Sequence, residues 1–553
     1  MNSSPLTDRQ KNHTPSPVFP LPCQKRWLTV FAAALLSFGA AFIFVPKEFW
    51  WDWDMQRYMV QVMIGGREVG SFSFAHNLLT TWLYQATNFL TPFLHEYQPL
   101  EGARFLTILL SGLTALLLAL SVRSITRSVT AAMVASAIWF AIPGNVFLIS
   151  TLEDNTWANA FNAAFLFLTL KLAGYSRPRT DGPAKLAALS AVAGVVLSAG
   201  VNIHQQVAVN FYAFFVLMLL SYERRWRDIA YMSALFVAGY IGGSLAQNYL
   251  ALGQPELSGS IRRLYHDEYK GCFPNLYFFT SGQSVGEWTS RIILGWKRTF
   301  LFDAHRVPFW GPICLVAILG IVGIVADCWR RGTFFFLYRG RMLIFLAAAT
   351  LIHVPHSLVY EPENAERWDS TLPGLIILGI LGTHFVVEHS SRYRKLAKTI
   401  AVVSVSAVLI SLCQTWHYFS RDLSEYAKDP AVLGLHQVIG YLTNHPEPSE
   451  RHVVLLDSLY KYKDIQTRLT YYFPHVTVVT VDRALKVVYS SADLQHRRTL
   501  NGLRIAKIEF PTNSYFSATA RVINDLKTEA PEFILSHAVH VIPAGVHDAG
   551  VAD

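Results

Sequence analysis

The sequence predicts an α-helical polytopic membrane protein with about eleven transmembrane helices and a small carboxyl-terminal α/β domain. Three observations support this class. Hydrophobic residues make up 52% of the 553 residues and charged residues only 15%, whereas soluble chains carry about 25% charged residues. The apolar residues form runs of about 17 to 25 residues, long enough to cross a bilayer as helices. Lys and Arg recur in every second connection between these runs.

The first 26 residues are polar and contain Pro and Ser, which predicts a disordered cytoplasmic tail at 1–26. The apolar run that follows lacks a small-residue cleavage site, so we interpret it as a retained first span. The transmembrane domain is predicted at 27–418. Its spans are expected at about 28–46, 104–121, 129–149, 157–173, 185–201, 205–221, 229–250, 308–328, 342–358, 370–388 and 397–417.

The loop charges predict the orientation of these spans. Basic residues occur in the amino-terminal tail, after the second span, and in "KLAGYSRPRTDGPAK", "YERRWRD", "DCWRRGTFFFLYRGR" and "EHSSRYRKLAK". Basic loops stay in the cytoplasm, so the formal charge of +9 does not indicate a nucleic-acid partner. The opposite side receives outer loops at 47–103 and 251–307 and the carboxyl-terminal part, 419–553. We expect a bacterial inner membrane with the functional face outside the cytoplasm.

Two further segments have their own patterns. In the first outer loop, "SFSFAHNLLTTWLYQATNFLTPFL" mixes aromatic and polar residues and predicts an amphipathic helix at the membrane interface. Near the carboxyl end, "HVVLLDSL", "HVTVVTVD" and "RIAKIEF" are typical of short buried strands, and helical stretches flank them. They predict the extracytoplasmic α/β domain at 419–553. The five cysteines show no metal-ligand spacing, and we expect no disulfide framework.

Polar side chains collect where predicted spans end on the outer side. Asp52 and Asp54 follow the first span in "WWDWDMQRY", Glu153 and Asp154 lie in "TLEDNT", and His204 precedes two glutamines. Charged groups near hydrocarbon are costly to desolvate, so they tend to face a cavity or a partner. Each has a simpler interpretation: a solvated helix end for the first pair, a helix cap for the second, and a structural histidine for the third.

These residue types suit group transfer at a membrane surface. A carboxylate can act as general base and remove a proton from an attacking hydroxyl. Cationic side chains can hold a phosphate leaving group and stabilise its growing charge. The outer cations that could do so are Arg262, Arg263, His266, Lys270, Lys297, Arg298 and Arg367. Contact with lipid headgroups, or solvation alone, would also explain them.

The order of these features resembles the GT-C glycosyltransferases that use polyprenyl-phosphate sugars, such as protein O-mannosyltransferases and aminoarabinose transferases. In "WDWDMQRY", Asp54 lies four residues before Tyr58, as in the acidic motif of that family. Met55 replaces the usual Glu. The stretch "IGGREVGSFSFAHNLL" is similar to the next family motif, with His76 matching and Asn77 in place of proline.

Two later motifs extend the resemblance over residues 28 to 390 or so. The second acidic loop of the family is similar to "TLEDNTWANAF", where Glu153 or Asp154 matches the acidic position and the flanking arginines are missing. The stretch "PENAERWDSTLPGLIIL" is similar to the start of a late family span. Arg367 matches its arginine, Trp368 replaces tyrosine and Pro373 keeps the proline.

The resemblance implies an inverting transferase that takes a sugar from a polyprenyl-phosphate donor in the outer leaflet. It implies Asp54 as catalytic base, helped by Asp52, while Glu153 or Asp154 orients the acceptor or completes the acidic cluster. Arg367, with one or more of the outer-loop cations, would neutralise the departing phosphate. The residues expected to bind substrate are Tyr58, His76, His204, Arg262, Arg263, Lys270 and Arg367.

The expected partners are a polyprenyl-phosphate-linked sugar, an acceptor that is a protein, lipid or glycan, and the membrane lipids. No metal site is predicted, although two acidic clusters leave a divalent metal open. Three other functions stay open at this point. One is a transporter or flippase for lipid-linked sugars, which predicts an inverted repeat and broken helices at the midplane. The others are an enzyme similar to O-antigen ligases or polymerases, and a membrane scaffold.

Overall fold

The protein is described by a computed structural model. The described residues are 23–45, 73–94, 99–151, 154–175, 182–221, 224–252, 255, 257–264, 284–301, 318–320, 322, 338–359, 363, 365–389, 394–427, 438, 441–442, 452–457, 476–482, 487–490, 515–519, 523–524, 527–528 and 539–542.

Helices make up most of the described residues before residue 428. They are α1 (Cys23–Phe44), α2 (Ser73–Leu94), α3 (Pro99–Thr126), α4 (Val129–Ala141), α5 (Pro143–Thr151), α6 (Asp154–Leu172), α7 (Pro183–Ile203), α8 (Val209–Leu219), α9 (Trp226–Leu252), α10 (Ser258–Leu264), α11 (Val285–Leu301), α12 (Tyr338–Leu351), α13 (Val354–Val359), α14 (Ala365–Asp369), α15 (Leu372–His389) and α16 (Arg394–Ala427). A 3₁₀ turn, Gln205–Ala208, joins α7 to α8. Buried apolar side chains form one continuous core from Ala41 in α1 to Val408 in α16.

Several of these helices can cross a bilayer. In the described part of the chain, four are long and apolar enough by length and composition: Glu101–Thr126, Pro183–Ile203, Trp226–Leu250 and Lys398–His417. Shorter apolar helices accompany them: Val30–Phe44, Gln206–Leu219, Gly340–Leu351 and Leu372–Phe385. The chain is therefore a multi-pass helical membrane protein. Most of the span predicted at 308–328 lies outside the described residues.

The span predicted at 129–149 is not one straight helix. The chain bends by 63° between α4 and α5, so the pair forms a fifth candidate span only if both halves are counted together. Pro143 follows the bend, and Ile142 before it is extended, with φ −87° and ψ 113°. Proline lacks a backbone N–H and disfavours helical geometry in the preceding residue. The span predicted at 342–358 is likewise divided, between α12 and α13.

A helix, α2, is present where the amphipathic helix is predicted. Leu83 and Thr87 are buried on one side, whereas Phe89 and Phe93 are exposed on the other. The buried side packs closely on α3, because a Cβ added at Gly102 would lie 2.3 Å from the Thr87 hydroxyl oxygen. One side of α2 thus packs on the bundle, and the opposite side, which is aromatic, is exposed. Its place at the membrane interface stays a prediction.

Small residues let α7 and α9 approach backbone to backbone. A Cβ added at Gly194 in α7 would lie 2.1 Å from the carbonyl oxygen of Phe236 in α9. A Cβ at Gly239 in α9 would lie 2.1 Å from the carbonyl oxygen of Ala191 in α7. Glycine at such positions is the usual means by which membrane helices pack tightly, because van der Waals contact replaces the hydrophobic effect there.

Gly239→Ala is expected to destabilise the protein by about 1–3 kcal/mol, because the new methyl group meets a backbone oxygen that cannot turn away. The matched control is Gly242→Ala in the same helix, where an added Cβ meets nothing within 4 Å. Alanine favours a helix over glycine by about 1 kcal/mol, so the control should be neutral or slightly stabilising. Thermal unfolding of the detergent-solubilised chain measures both. Equal midpoints for the two variants would contradict the close packing.

The carboxyl-terminal part contains a five-stranded sheet with the order β3-β2-β1-β4-β5. Its strands are β1 (His452–Asp457), β2 (Thr477–Asp482), β3 (Val487–Ser490), β4 (Tyr515–Thr519) and β5 (Val539–Ile542). β1 runs parallel to β2 and β4, β4 parallel to β5, and β2 antiparallel to β3. Val453, Val454 and Leu455 of the central strand are all buried, as in sheets covered on both faces. The strand predicted in "RIAKIEF" lies outside the described residues.

Candidate functional site

The structure describes only some of the residues that the sequence nominates. Five lie outside the described residues: Asp52, Asp54, Tyr58, Glu153 and Lys270. His76 lies in α2, and Arg262 and Arg263 lie in α10; for these three residues the structure describes the helix alone. Asp154, His204 and Arg367 are described with their side chains, and all three are buried.

Asp154 and His204 meet where α6 begins and α7 ends. The His204 Nε2 atom lies 3.9 Å from Asp154 Oδ1. His204 terminates α7 in an extended conformation, and its Nδ1 accepts a hydrogen bond of 3.2 Å from the backbone N–H of Gln206. Because Nδ1 is the acceptor, the ring proton of a neutral imidazole lies on Nε2, towards the carboxylate. The pair is therefore arranged as a donor facing an acceptor.

The interpretation of Asp154 as a helix cap is only partly right. Asp154 is itself the first residue of α6, where a carboxylate is favoured by the partial positive charge of the helix amino terminus. This placement alone would also suit a carboxylate that is exposed to solvent. Here the residue is only 5% exposed and faces an imidazole. Burial next to a titratable partner is the feature that makes Asp154 a candidate functional residue.

Gln206 connects this pair to the segment that contains Arg367. Its Nε2 donates to the carbonyl oxygen of Arg367 (2.7 Å) and to the hydroxyl of Ser370 (2.8 Å). The Ser357 hydroxyl donates to the same carbonyl (2.5 Å). Gln206 and Arg367 are 161 positions apart. The fold thus brings the acidic position after α5, the histidine after α7 and the late arginine into one buried cluster.

Helix α11 packs on the segment that contains Arg367. The Arg291 guanidinium binds the Glu363 carboxylate through two hydrogen bonds, from Nε (2.8 Å) and Nη2 (2.5 Å). Arg298 donates to the Glu363 carbonyl at 3.2 Å, so this predicted phosphate cation contacts the backbone next to α14. The ring of Trp296 meets that of Trp368 edge to face, with centroids 5.4 Å apart.

The first turn of α11 is a capping box. The Glu287 carboxylate accepts hydrogen bonds from the backbone N–H (2.8 Å) and the hydroxyl (3.0 Å) of Ser284. These two bonds, the backbone one first, lower the pKa of Glu287. A lowered carboxyl pKa stabilises the folded helix at neutral pH, and this contribution is lost as the pH falls through that pKa.

Sequence reasoning missed a second set of buried polar residues, which we call the amide chain. It consists of Asp369, Asn159, Asn162, Asn210 and His353. Each is at most 5% exposed. Amides at Asn159 and Asn162, three residues apart inside the apolar stretch "TWANAFNAAF", were the available signal, because polar side chains within a span are commonly functional.

Another network holds α10 against α7 and α9. Ser260 donates to Asn202 Oδ1 and accepts from Asn248, both at 3.2 Å. Two tyrosine hydroxyls, from Tyr240 and Tyr212, donate to carbonyl oxygens of α10 at 3.0 Å. The short helix that carries Arg262 and Arg263 is therefore fixed to the bundle by its own backbone and by Ser260.

A small cavity lies beside the amide chain. Asn162, Asn210, His353 and Ser370 contribute its polar lining, and it has room for about one water molecule. Within the part of the chain that the structure describes, no group of three His, Cys, Asp or Glu residues is placed to hold a metal ion.

Fold and site together define a multi-pass helical membrane protein with a buried charged cluster where several helices end. Neither a protein-family model nor a curated protein sequence matches the chain. The solved structures that are similar to it include the following two. The oligosaccharyltransferase of Archaeoglobus fulgidus, tethered with an acceptor peptide containing the NVT sequon, is 12% identical with a TM-score of 0.44, and the match covers 82% of this chain and 64% of that one. ArnT from Cupriavidus metallidurans, bound to undecaprenyl phosphate, is 12% identical with a TM-score of 0.48, covering 84% and 87%.

Proposed function

We propose that this chain is an inverting glycosyltransferase of the GT-C kind, which moves a sugar from a polyprenyl-phosphate donor to an acceptor on the extracytoplasmic face. The observation that carries the proposal is the cluster of Asp154, His204 and Arg367, joined through Gln206. The loop charges assign the links that hold these residues to one side of the membrane. The Asp154 carboxylate faces the His204 imidazole, and the buried Arg367 is linked to them through its carbonyl oxygen. Acid, imidazole and guanidinium groups are the kinds that such a transfer needs.

In the proposed reaction, Asp54 removes the proton from an acceptor hydroxyl as its oxygen attacks the anomeric carbon of the sugar. The bond from that carbon to the phosphate oxygen breaks, and its electron pair leaves with the polyprenyl phosphate. Attack from the face opposite the leaving group inverts the anomeric configuration. Asp52 supports the base, and Glu153 and Asp154 orient the acceptor. No step is assigned to a metal.

The leaving phosphate gains negative charge during this step, and Arg367 is proposed to stabilise it. Arg262 and Arg263 assist, since α10 is fixed to the bundle through Ser260. Lys270, seven positions after Arg263 in the same outer loop, adds a third cation. The remaining proposed substrate contacts are Tyr58, His76 and His204.

The proposed setting is a bacterial inner membrane, with about eleven spans in the domain 27–418. The tail 1–26 is cytoplasmic. The part 419–553, which contains the five-stranded sheet, forms a soluble α/β module on the same side as the site. The donor lies in the outer leaflet, and the acceptor, a protein, lipid or glycan, approaches from the aqueous side.

The test is a transfer assay with purified chain, a panel of polyprenyl-phosphate sugars radiolabelled in the sugar, and a cell-envelope extract as the source of acceptor. Asp154→Asn is expected to lower the rate by about 10- to 150-fold, because hydrogen bonds to charged groups contribute about 1.5–3 kcal/mol. Asp228→Asn is the matched control: this carboxylate is exposed in the first turn of α9, on the predicted cytoplasmic side. A wild-type chain that uses no such donor, or an Asp154→Asn chain as fast as the control, would sink the proposal.

A further inference from the structure

The hydrogen bonds of the amide chain all point the same way. A carboxylate only accepts, so Asn159 turns its Nδ2 towards Asp369. The Asn159 Oδ1 then accepts from Asn162 at 3.2 Å, and the Asn162 Oδ1 accepts from Asn210 at 2.7 Å. Each amide donates towards the carboxylate and accepts from the side away from it. Reversing any one amide would place two acceptors or two donors face to face.

The far end of the chain is His353, in the turn between α12 and α13. Its Nε2 lies 3.1 Å from Asn210 Oδ1. Because that oxygen is an acceptor, His353 must present an N–H, which fixes the tautomer of the neutral ring. The chain therefore runs from one imidazole N–H, through three amides, to one carboxylate. Bonds aligned in this manner polarise one another and strengthen as a set in a medium of low polarity.

The carboxylate end belongs to the segment that carries Arg367. Asp369 closes α14 two residues after Arg367. The Arg367 carbonyl is held by Gln206 and Ser357, the Trp368 ring packs on Trp296, and the Asp369 carboxylate is held by Asn159. Three successive residues are thus fixed through different atoms by different helices. Such a second layer of contacts sets the geometry of a functional group that the reaction uses directly.

We propose that the amide chain positions Arg367 for the leaving phosphate, with His353 as the positioning residue at its origin. The role of Arg367 rests on the proposed function. The contacts that hold its backbone in place, which we call the clamp, do not depend on that function. Breaking one link leaves buried donors and acceptors without partners, which is unfavourable. The α14 segment then loses one of its fixed points and samples other positions, so the guanidinium meets the phosphate less often.

The first arm of the test measures the clamp itself by hydrogen–deuterium exchange of the backbone at 365–371 in the detergent-solubilised full chain. Asn210→Leu is expected to speed exchange there by about 5- to 150-fold, the equivalent of the lost contacts. The milder Asn210→Ser is measured beside it and should give a smaller increase. The matched control is Asn248→Leu, since Asn248 is an equally buried amide in the separate α10 network. Unchanged exchange in both Asn210 variants, or equal increases in the control, overturns the proposal.

Rescue distinguishes a hydrogen-bond donor from simple packing. His353→Gln keeps an N–H at similar reach and should retain slow exchange at 365–371, whereas His353→Leu should not. A merely structural histidine would tolerate leucine as well as glutamine, or neither. Either of those results would argue against His353 as the origin of the chain.

The second arm measures the affinity for farnesyl phosphate, a short polyprenyl phosphate, by tryptophan fluorescence. Asn210→Leu is expected to weaken binding by about 5- to 20-fold, a smaller effect than Arg367→Gln, because it displaces the charge without removing it. If Arg367→Gln leaves the affinity unchanged, Arg367 does not bind the phosphate and this part of the proposed function is wrong. The exchange data still test the backbone contacts independently. If exchange responds and affinity in Asn210→Leu does not, the positioning role is refuted.

Discussion

Asp54→Asn is expected to slow sugar transfer by about 10²- to 10⁴-fold, because an amide cannot remove a proton from the acceptor hydroxyl. The substitution is nearly isosteric, so the affinity for the donor should change little. The loss should therefore fall on kcat and persist at saturating donor. Initial rates of label transfer over a range of donor concentrations measure this separation.

Asp52→Asn is the matched control, since the two aspartates lie two positions apart in "WWDWDM". As the supporting carboxylate, Asp52 is expected to give the smaller loss of the two. The opposite ranking would make Asp52 the base and would contradict the match of Asp54 to the acidic motif. Rates within twofold of wild type for both variants would remove general-base catalysis from this loop and return the pair to a solvated helix end.

Arg367→Gln is expected to reduce kcat/KM by about 10- to 150-fold, since a charged hydrogen bond to the leaving phosphate contributes about 1.5–3 kcal/mol. Arg367→Lys should restore only part of this rate. Lysine keeps the charge, but it lacks the planar fork that binds a phosphate through two parallel bonds. The backbone contacts of Arg367 to Gln206 and Ser357 use its carbonyl oxygen and survive either substitution.

Arg224→Gln is the control for a lost arginine. Its Nε donates to the Leu172 carbonyl at 2.9 Å, at the predicted cytoplasmic end of the bundle. That variant should transfer sugar at the wild-type rate, even if its thermal stability falls. An Arg367→Gln chain that matches Arg224→Gln in rate would show that Arg367 has a structural role only.

The helical class of the protein could be predicted because it depends on run length and charge, which are properties of the sequence itself. Interruptions were harder to foresee. Pro143 breaks the span predicted at 129–149, although a proline in an apolar run gives a recognisable warning. The 3₁₀ turn at Gln205–Ala208 replaces the start of the span predicted at 205–221. The His204 side chain caps this turn, a local contact that hydropathy does not register.

The candidate site was predictable where it consists of charged groups at span ends. Asp154, His204 and Arg367 could be nominated individually from their types and positions. Their meeting through Gln206 could not, since it depends on how links 161 positions apart pack together. The amide chain was missed for the same reason: its bond from Asn159 to Asp369 joins residues 210 positions apart. Isolated asparagines in apolar helices show no spacing that distinguishes a chain from scattered structural amides.

The most direct test of the central claim uses the wild-type chain in sealed proteoliposomes, oriented with residues 419–553 outside. A polyprenyl-phosphate sugar radiolabelled in its polyprenyl chain is supplied in the outer leaflet in one preparation and in the inner leaflet in the other, with a cell-envelope extract on both sides as the source of acceptor. Release of polyprenyl phosphate is then followed by thin-layer chromatography. The account predicts release from the outer leaflet, at a rate that falls about 10²- to 10⁴-fold in Asp54→Asn. Release from the inner leaflet alone, or no release from any donor tested, would contradict it.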